Sequence, residues 1–214
     1  SPELMQKALE IFCAIDLKDI ATIKYSDAMR VLQKITKLFE HEQPLTKRFK
    51  YKGKEFGFIP NLDQMSIGEF ADLDSSITNW DNMHKAMGVL YRPIEVSLKN
   101  KYTIEPYESY DKYDMRQMPI GIALGALVFF LEFRKRAYKE YPQLFTEGDV
   151  QADFSAAGGF AQKWGWYQSI YGLANGDITR FEDITKLNIH QCFTMLSFMK
   201  EKAQLESQQI KSKF

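Results

Sequence analysis

The sequence predicts a mainly α protein: a multi-helix bundle around one apolar helix at about 119–141, with a small β-hairpin near 47–59. Three observations carry this expectation. The run MPIGIALGALVFFL, from Met118 to Leu131, is the most apolar part of the chain. Helical apolar periodicity recurs on both sides of it. Serine, threonine and asparagine caps punctuate the stretches between. Of the 214 residues, 45% are hydrophobic and 14% aromatic, enough to bury a substantial core, which a disordered chain would lack.

At the N-terminus, Ser1-Pro2-Glu3 reads as a helix start. The stretch SPELMQKALEIF has no basic region ahead of an apolar run and is not read as a signal peptide. From Ser26, SDAMRVLQKITKLFEHE places Ala28, Val31, Leu32, Ile35, Leu38 and Phe39 at helical spacing with one wet face, and Pro44 lies beyond its end. In KRFKYKGKEFGFIP, Phe49 and Tyr51 alternate with lysines, Lys52-Gly53 supplies a turn, and Phe56 and Phe58 alternate again. That is a hairpin with one aromatic face, which should rest on a helix or on a neighbouring subunit.

Ser66-Ile67-Gly68-Glu69 is a capping box opening a short helix to about Ser76. Asn79 caps the next, WDNMHKAMGVLY, whose Trp80, Met83, Met87 and Leu90 share a face, and Arg92-Pro93 ends it. Residues 93–117, rich in tyrosine and charge, show no clear period and read as a loop. The apolar helix then begins near Pro119, which fits a first turn. Only Gln117 to Leu131 lies uncharged between Arg116 and Glu132, short of the ~20 residues that a spanning helix needs, so a buried core helix is expected and not a membrane span.

Beyond a linker at 142–159, GFAQKWGWYQSIYGLANGD reads as a helix closed by Asn175-Gly176 in a left-handed cap. Thr179-Arg180-Phe181-Glu182 reads as a capping box, and Asn188 as the cap of a final helix. The apolar face of that helix (Ile189, Phe193, Leu196, Met199) fades after Lys200. The expected organisation is an N-terminal helical segment (1–45), a hairpin plus helical core (46–142) and a C-terminal helical region (158–214), the last two able to form one domain.

Chemistry is hard to find. Lys+Arg and Asp+Glu both number 28, so no global field favours nucleic acid or a membrane surface, and the low net charge suits a component that associates with copies of itself or with partners. Cys13 and Cys192 form no disulfide framework, and a reduced setting is the simpler reading. His41, His84 and His190 have no metal-ligand spacing, and no HExxH, CxxC, GxSxG or phosphate-binding loop occurs. Gly158-Gly159 reads as a joint between segments. Asp72 and Asp74, at i and i+2 on a helix, point to different faces, which argues against paired acid/base work. No catalytic residue, cofactor or metal is therefore expected. Arg134, Lys135, Arg136 and Lys139 make a local basic patch that reads as a solvated helix face and only weakly as a nucleic-acid contact. The run Trp164-Gly165-Trp166-Tyr167, with Tyr171, reads first as core, then as protein–protein interface, and last as a small-molecule site.

Two stretches carry a resemblance. YKGKEFGFIPNLDQMSIGEFADLD, continued through WDNMHKAMGVLYRPI and YTIEPYESYDKYDMRQMPIGIALGALVFFLEF, resembles mid-sized structural-gene products of tailed bacteriophages. WGWYQSIYGLANGDITRFEDITKLNIHQCFTMLSFMKEKAQLE is similar to the C-terminal part of some tail-assembly chaperones and related tail or baseplate proteins. The resemblance spans roughly residues 48–206 and rests on packing and turn patterns. It implies a non-enzymatic role in building a phage particle, as a tail, neck or portal-region subunit or as a tail assembly chaperone. It also implies other phage structural proteins as partners, a homo-oligomer or ring, and a place in the virion or in the host cytoplasm during assembly. The contacts expected to carry that role are Phe49, Tyr51, Phe56 and Phe58 of the hairpin, Tyr107, Tyr110 and Tyr113 of the loop, Trp164, Trp166, Tyr167 and Tyr171, and the C-terminal helix. The polar tail of that helix from Lys202 is expected to gain structure against a partner helix or a neighbouring copy. The alternative is a small-molecule binder or enzyme with an aromatic pocket around Trp164 and Trp166.

Overall fold

Between residues 48 and 104 the chain builds a four-stranded antiparallel sheet where the sequence predicts only a hairpin, so the fold is mixed α/β and not a mainly α bundle. The computed structural model describes residues 6–7, 9–10, 13, 15–20, 22–40, 43–99, 101–145 and 164–211. The chain divides into two units, Ser1–Leu45 and Thr46–Phe214.

In the first unit, α1 (Leu17–Ile20) and α2 (Tyr25–Glu40) gather a small core of Leu9, Ile20 and Ala28, with Ile23, Met29, Val31 and Leu32 packed against it. The heptad-like spacing of Ala28, Val31 and Leu32 is what turns one face of α2 inward. The expected helix start at Ser1–Glu3 and His41 lie outside the described residues.

The second unit opens with β1 (Arg48–Tyr51) and β2 (Lys54–Phe58), joined through Lys52 and Gly53 at φ 47° and 79°. Two successive left-handed residues make the turn whose twist matches the strands, and the glycine takes that conformation at no steric cost. The strand β3 (Tyr91–Leu98) pairs with β2, placing Phe58 opposite Tyr91 and Phe56 opposite Pro93, and β4 (Lys101–Ile104) pairs with β3. The order is β1-β2-β3-β4.

These last two strands fall where a loop is expected, and the reasons are physical. Pro93 reads as a breaker, yet it stands at the end of the β2–β3 ladder, where a missing N–H interrupts little. Val96 and Leu98 are 61% and 72% exposed, so the alternation along β3 carries no burial signal. The partner strand β4 has only four residues.

Helices cover the sheet and one another. Ser66 caps α3 (Ile67–Ile77): its hydroxyl accepts from the Glu69 N–H at 3.1 Å, while the Glu69 carboxylate accepts from the Ser66 N–H at 2.7 Å. Asn79 caps a single 3-10 turn, Trp80–Asn82, that runs into α4 (Met83–Leu90). Then come α5 (Ile120–Glu140), α6 (Trp166–Leu173), α7 (Phe181–Thr185) and α8 (Ile189–Lys211). Asn175 and Gly176 adopt left-handed φ after α6, and Asn188 accepts the His190 N–H at 2.9 Å to cap α8. The expected capping box at Thr179 is replaced: Asp177 accepts from the Thr179 N–H and hydroxyl, at 2.9 and 2.7 Å, and opens a 3-10 turn ahead of α7. The linker at 146–159, with Gly158-Gly159, and the start of the predicted helix before Trp164 lie outside the described residues.

Phe70 on α3 is the centre of the core. Its ring meets Phe130 of α5 at 6.0 Å, Trp166 of α6 at 5.3 Å and Phe193 of α8 at 5.4 Å between centroids. A two-way backbone link fastens α3 to α8: the Ile67 N–H donates to the Leu187 carbonyl at 2.9 Å, and the Ile189 N–H to the Met65 carbonyl at 3.0 Å. The helix α5 does not run through the middle of a bundle. Ala123, Gly125, Ala126, Phe130, Phe133 and Ala137 turn inward, while Val128, Phe129 and Leu131 keep nearly half their surface in water. Its first half, up to Leu131, is apolar on every side and predicts burial, but Val128, Phe129 and Leu131 stay uncovered. Among the described residues no helix is long and apolar enough to cross a membrane.

Candidate interaction surface

The hairpin aromatics turn inward. Phe56 and Phe58 are buried; Phe49 stacks on Phe56 at 6.0 Å and meets Tyr91 edge-on at 5.0 Å. Phe58 meets Phe129 of α5 at 5.6 Å, and Phe56 meets Tyr113 at 5.4 Å, so this aromatic face rests on its own chain. The tyrosine-rich stretch is ordered by specific bonds. The Tyr51 hydroxyl donates to the Asp114 carbonyl at 3.0 Å, Tyr107 to Asp72 at 2.6 Å and Tyr113 to Glu105 at 2.7 Å. Burial and the neighbouring Asp72 carboxylate hold the Tyr107 phenol well above its usual range. Tyr110 lays its backbone on Gly88 of α4, and Lys85 sits 5.3 Å over its ring.

The aromatic run from Trp164 into α6 divides in two, with Gly165 at a positive φ between Trp164 and the helix. Trp166 stacks on Phe193 at 5.9 Å and its indole N–H donates to Asp74 at 3.0 Å. Trp164, Tyr167 and Tyr171 fall on the outer stripe and are exposed, with Tyr167 edge-on to Phe181 at 5.4 Å. Their helical spacing is legible in sequence; which stripe faces in is decided by Trp166, whose indole finds a carboxylate.

That carboxylate is a hub. Asp74 accepts from Arg134 Nε at 2.6 Å as well as from Trp166, and the Arg134 guanidinium lies 4.8 Å over the Tyr138 ring, which stacks on Phe145. Burial pushes the Tyr138 phenol up to about 12. Asp72 and Asp74 do point to different faces, and each anchors a separate network. Half of the basic patch is thereby engaged: Arg134 with Asp74, and Arg136 with Asp63 at 2.9 Å, while Lys135 and Lys139 remain exposed. Replacing Asp74 by alanine strands the Arg134 charge and the Trp166 N–H. The expected loss is about 2 kcal/mol, reduced from the fully buried value because Arg134 is partly in water. Asp74→Asn retains an acceptor for Trp166 and should lose less. Urea midpoints, with tryptophan fluorescence reporting the indole, check the order of the two variants.

One constellation is not visible in sequence. Tyr141, at the end of α5, places its hydroxyl 3.0 Å from His190 Nδ1, and His190 Nε2 lies 3.3 Å from Asp63, which also receives Arg136. A neutral imidazole carrying its proton on Nε2 satisfies both contacts: it accepts from Tyr141 and donates to Asp63. Asn188 adds a bond from its amide to the Asp63 carbonyl at 2.8 Å. The cluster therefore fastens α5, the 3-10 turn at Leu62–Gln64 and the start of α8 together. Its members stand too far apart in the chain for any spacing rule to find. Burial raises the Cys192 thiol to about 11, which keeps it protonated and a poor nucleophile. Among the described residues no three His, Cys, Asp or Glu side chains converge as a metal site requires.

The C-terminal helix is an expected contact, but the sequence reading finds only its inward apolar face and not the stripe on its outer side. Ile189 and Phe193 are buried as expected, but Met195, Phe198 and Leu205, on the opposite side, are 49%, 57% and 56% exposed. An open apolar concavity lined by His190, Gln191, Thr194, Met195 and Phe198 begins this stripe. Every residue from Lys200 to Ile210 is exposed, so the second half of the helix stands clear of the core. The signal was available: Met195, Phe198, Lys202 and Leu205 follow the alternating three- and four-residue spacing of a helix–helix seam.

Comparison of the chain with protein-family models, with curated proteins and with solved structures finds no match.

Proposed function

We propose that this chain is a non-enzymatic structural or assembly component of a tailed bacteriophage particle, acting through protein–protein contacts. The observation that carries the contact role is the outer stripe of α8, where Met195, Phe198 and Leu205 stay in water on a helix whose residues from Lys200 to Ile210 are all exposed. Propagation from the anchored half can extend the helix, but burying those apolar side chains requires a partner. The exposed aromatic stripe of Trp164, Tyr167 and Tyr171 adds a second surface of the composition that interfaces favour. The phage placement is supported by the resemblance of the two stretches in residues 48–206.

Quantitative mass spectrometry of purified particles against lysate taken before assembly completes tests this reading. Enrichment of the chain in particles at a ring-like stoichiometry identifies a virion subunit. Abundance in lysate with absence from particles, together with capture of the tape-measure protein, identifies an assembly chaperone. A chain that tracks with neither particles nor their precursors removes the phage role.

A further inference from the structure

We infer that the outer stripe of α8 pairs with the same stripe of a second copy of this chain, the two helices running antiparallel. This deepens the assembly reading above, on which it rests for its role, by naming the first partner. The seam positions are Met195, Phe198, Lys202, Leu205 and Gln209, spaced alternately by three and four residues. Phe198 and Leu205 are more than half exposed, and Lys202 lies between them.

Charge decides both the occupant and the direction. Lys202 and Glu206 already form an intrahelical pair at 3.8 Å, with 58% and 59% of their side chains in water. In a parallel pair, Lys202 would face Lys202 of the second copy across the seam, which is repulsive. In an antiparallel pair centred between Ala203 and Gln204, Lys202 lies over Leu205 of the second copy with its ammonium beside the Glu206 carboxylate there. The two-fold axis repeats that contact, giving four alternating charges around two leucines. Phe198 then meets the second copy's helix near Gln209 and Ile210. The stem of Lys202 covers apolar surface while its head stays at the rim. A single lysine in such a seam fixes register and direction at some cost in strength. The pairing is isologous, so one stripe supplies both halves of the interface.

Sedimentation equilibrium of the full chain tests this. The wild type is expected to populate a dimer in the micromolar range. Phe198→Asp with Leu205→Asp should leave a monomer, and an unchanged far-UV circular dichroism spectrum and melting temperature of the core would show that the fold survives, since both side chains are exposed. Lys202→Glu alone and Glu206→Lys alone should each weaken the dimer by about tenfold or more. The combined exchange K202E/E206K restores opposite charges across the seam and should recover most of the association. A wild type that stays monomeric throughout, a dimer indifferent to the two aspartates, or a double exchange as weak as the singles overturns the inference. A monomeric chain still found in particles removes the pairing and leaves the assembly reading standing. A dimer that tracks with neither particles nor their precursors does the reverse.

Discussion

Replacing Glu69 by leucine is expected to cost about 3–5 kcal/mol, read as a drop in the urea midpoint at unchanged slope. Glu69 and Arg92 are both buried, and Glu69 Oε1 lies 2.6 Å from Arg92 Nη1. The other carboxylate oxygen accepts from the Ser66 N–H, so this one side chain closes the capping box of α3 and neutralises the buried Arg92 at the start of β3. Loss of the cap alone is worth about 1 kcal/mol. The remainder comes from leaving the buried Arg92 guanidinium, which lies 5.6 Å over the Tyr107 ring, without its carboxylate. Glu69→Gln keeps an acceptor for Ser66 and should fall between. The pair itself is imperfect: Arg92 Nε is buried without a hydrogen-bond partner. Arg92→Met added to Glu69→Leu should therefore recover most of the loss, because two apolar groups of similar volume carry no desolvation penalty. If Glu69→Leu alone costs less than about 1 kcal/mol, the bridge is not desolvated in solution.

The same residues show what sequence conveys and what it withholds. Ser66 and Glu69 are legible as a capping box because the box is local: both partners lie within one turn, and the spacing is the interaction. The bond from Glu69 to Arg92 is not local, and Arg92 next to Pro93 reads only as the end of a helix. In the structure the chain passes from Leu90 of α4 directly into Tyr91 of β3, so a breaker signal and a strand start coincide. The Lys52-Gly53 turn is legible for the same reason as the box, since the left-handed pair is specified by the two residues that adopt it. The outward side of α5 is withheld, and the outer stripe of α8 is legible only as a spacing, because periodicity records which residues are apolar and says nothing about which apolar face finds a neighbour. The aromatic run at Trp164–Tyr167, with Tyr171, is read first as core, and the structure divides it. Asp74, far away in the chain, draws Trp166 inward and leaves the others outside.

Gly88→Ala should destabilise the protein by about 2–4 kcal/mol, although alanine is the better helix former by about 1 kcal/mol. Gly88 lies within α4, where the sequence alone argues for a gain. A Cβ at this position would fall well inside van der Waals contact of the Tyr110 carbonyl oxygen and only 3.0 Å from its carbon. The obstacle is backbone, so no rotamer change relieves it, and the segment carrying Tyr110 must lift away. That segment is tied on either side, by the Tyr107 bond to Asp72 and the Tyr113 bond to Glu105, so lifting it strains both anchors. Gly172→Ala in α6 provides the contrast. There a Cβ meets only the terminal methyl of Met199, at 3.6 Å, and the helix-propensity gain should survive as a stabilisation of about 0.5–1 kcal/mol. Paired urea titrations of the two variants read the sign directly, and limited proteolysis between Glu105 and Met115 should accelerate for Gly88→Ala alone. Stabilisation by both substitutions would mean that the tyrosine-rich segment does not rest on α4 in solution. A loss confined to Gly88 would add to those side-chain anchors a close backbone approach of the segment to α4, which only a residue without a side chain permits.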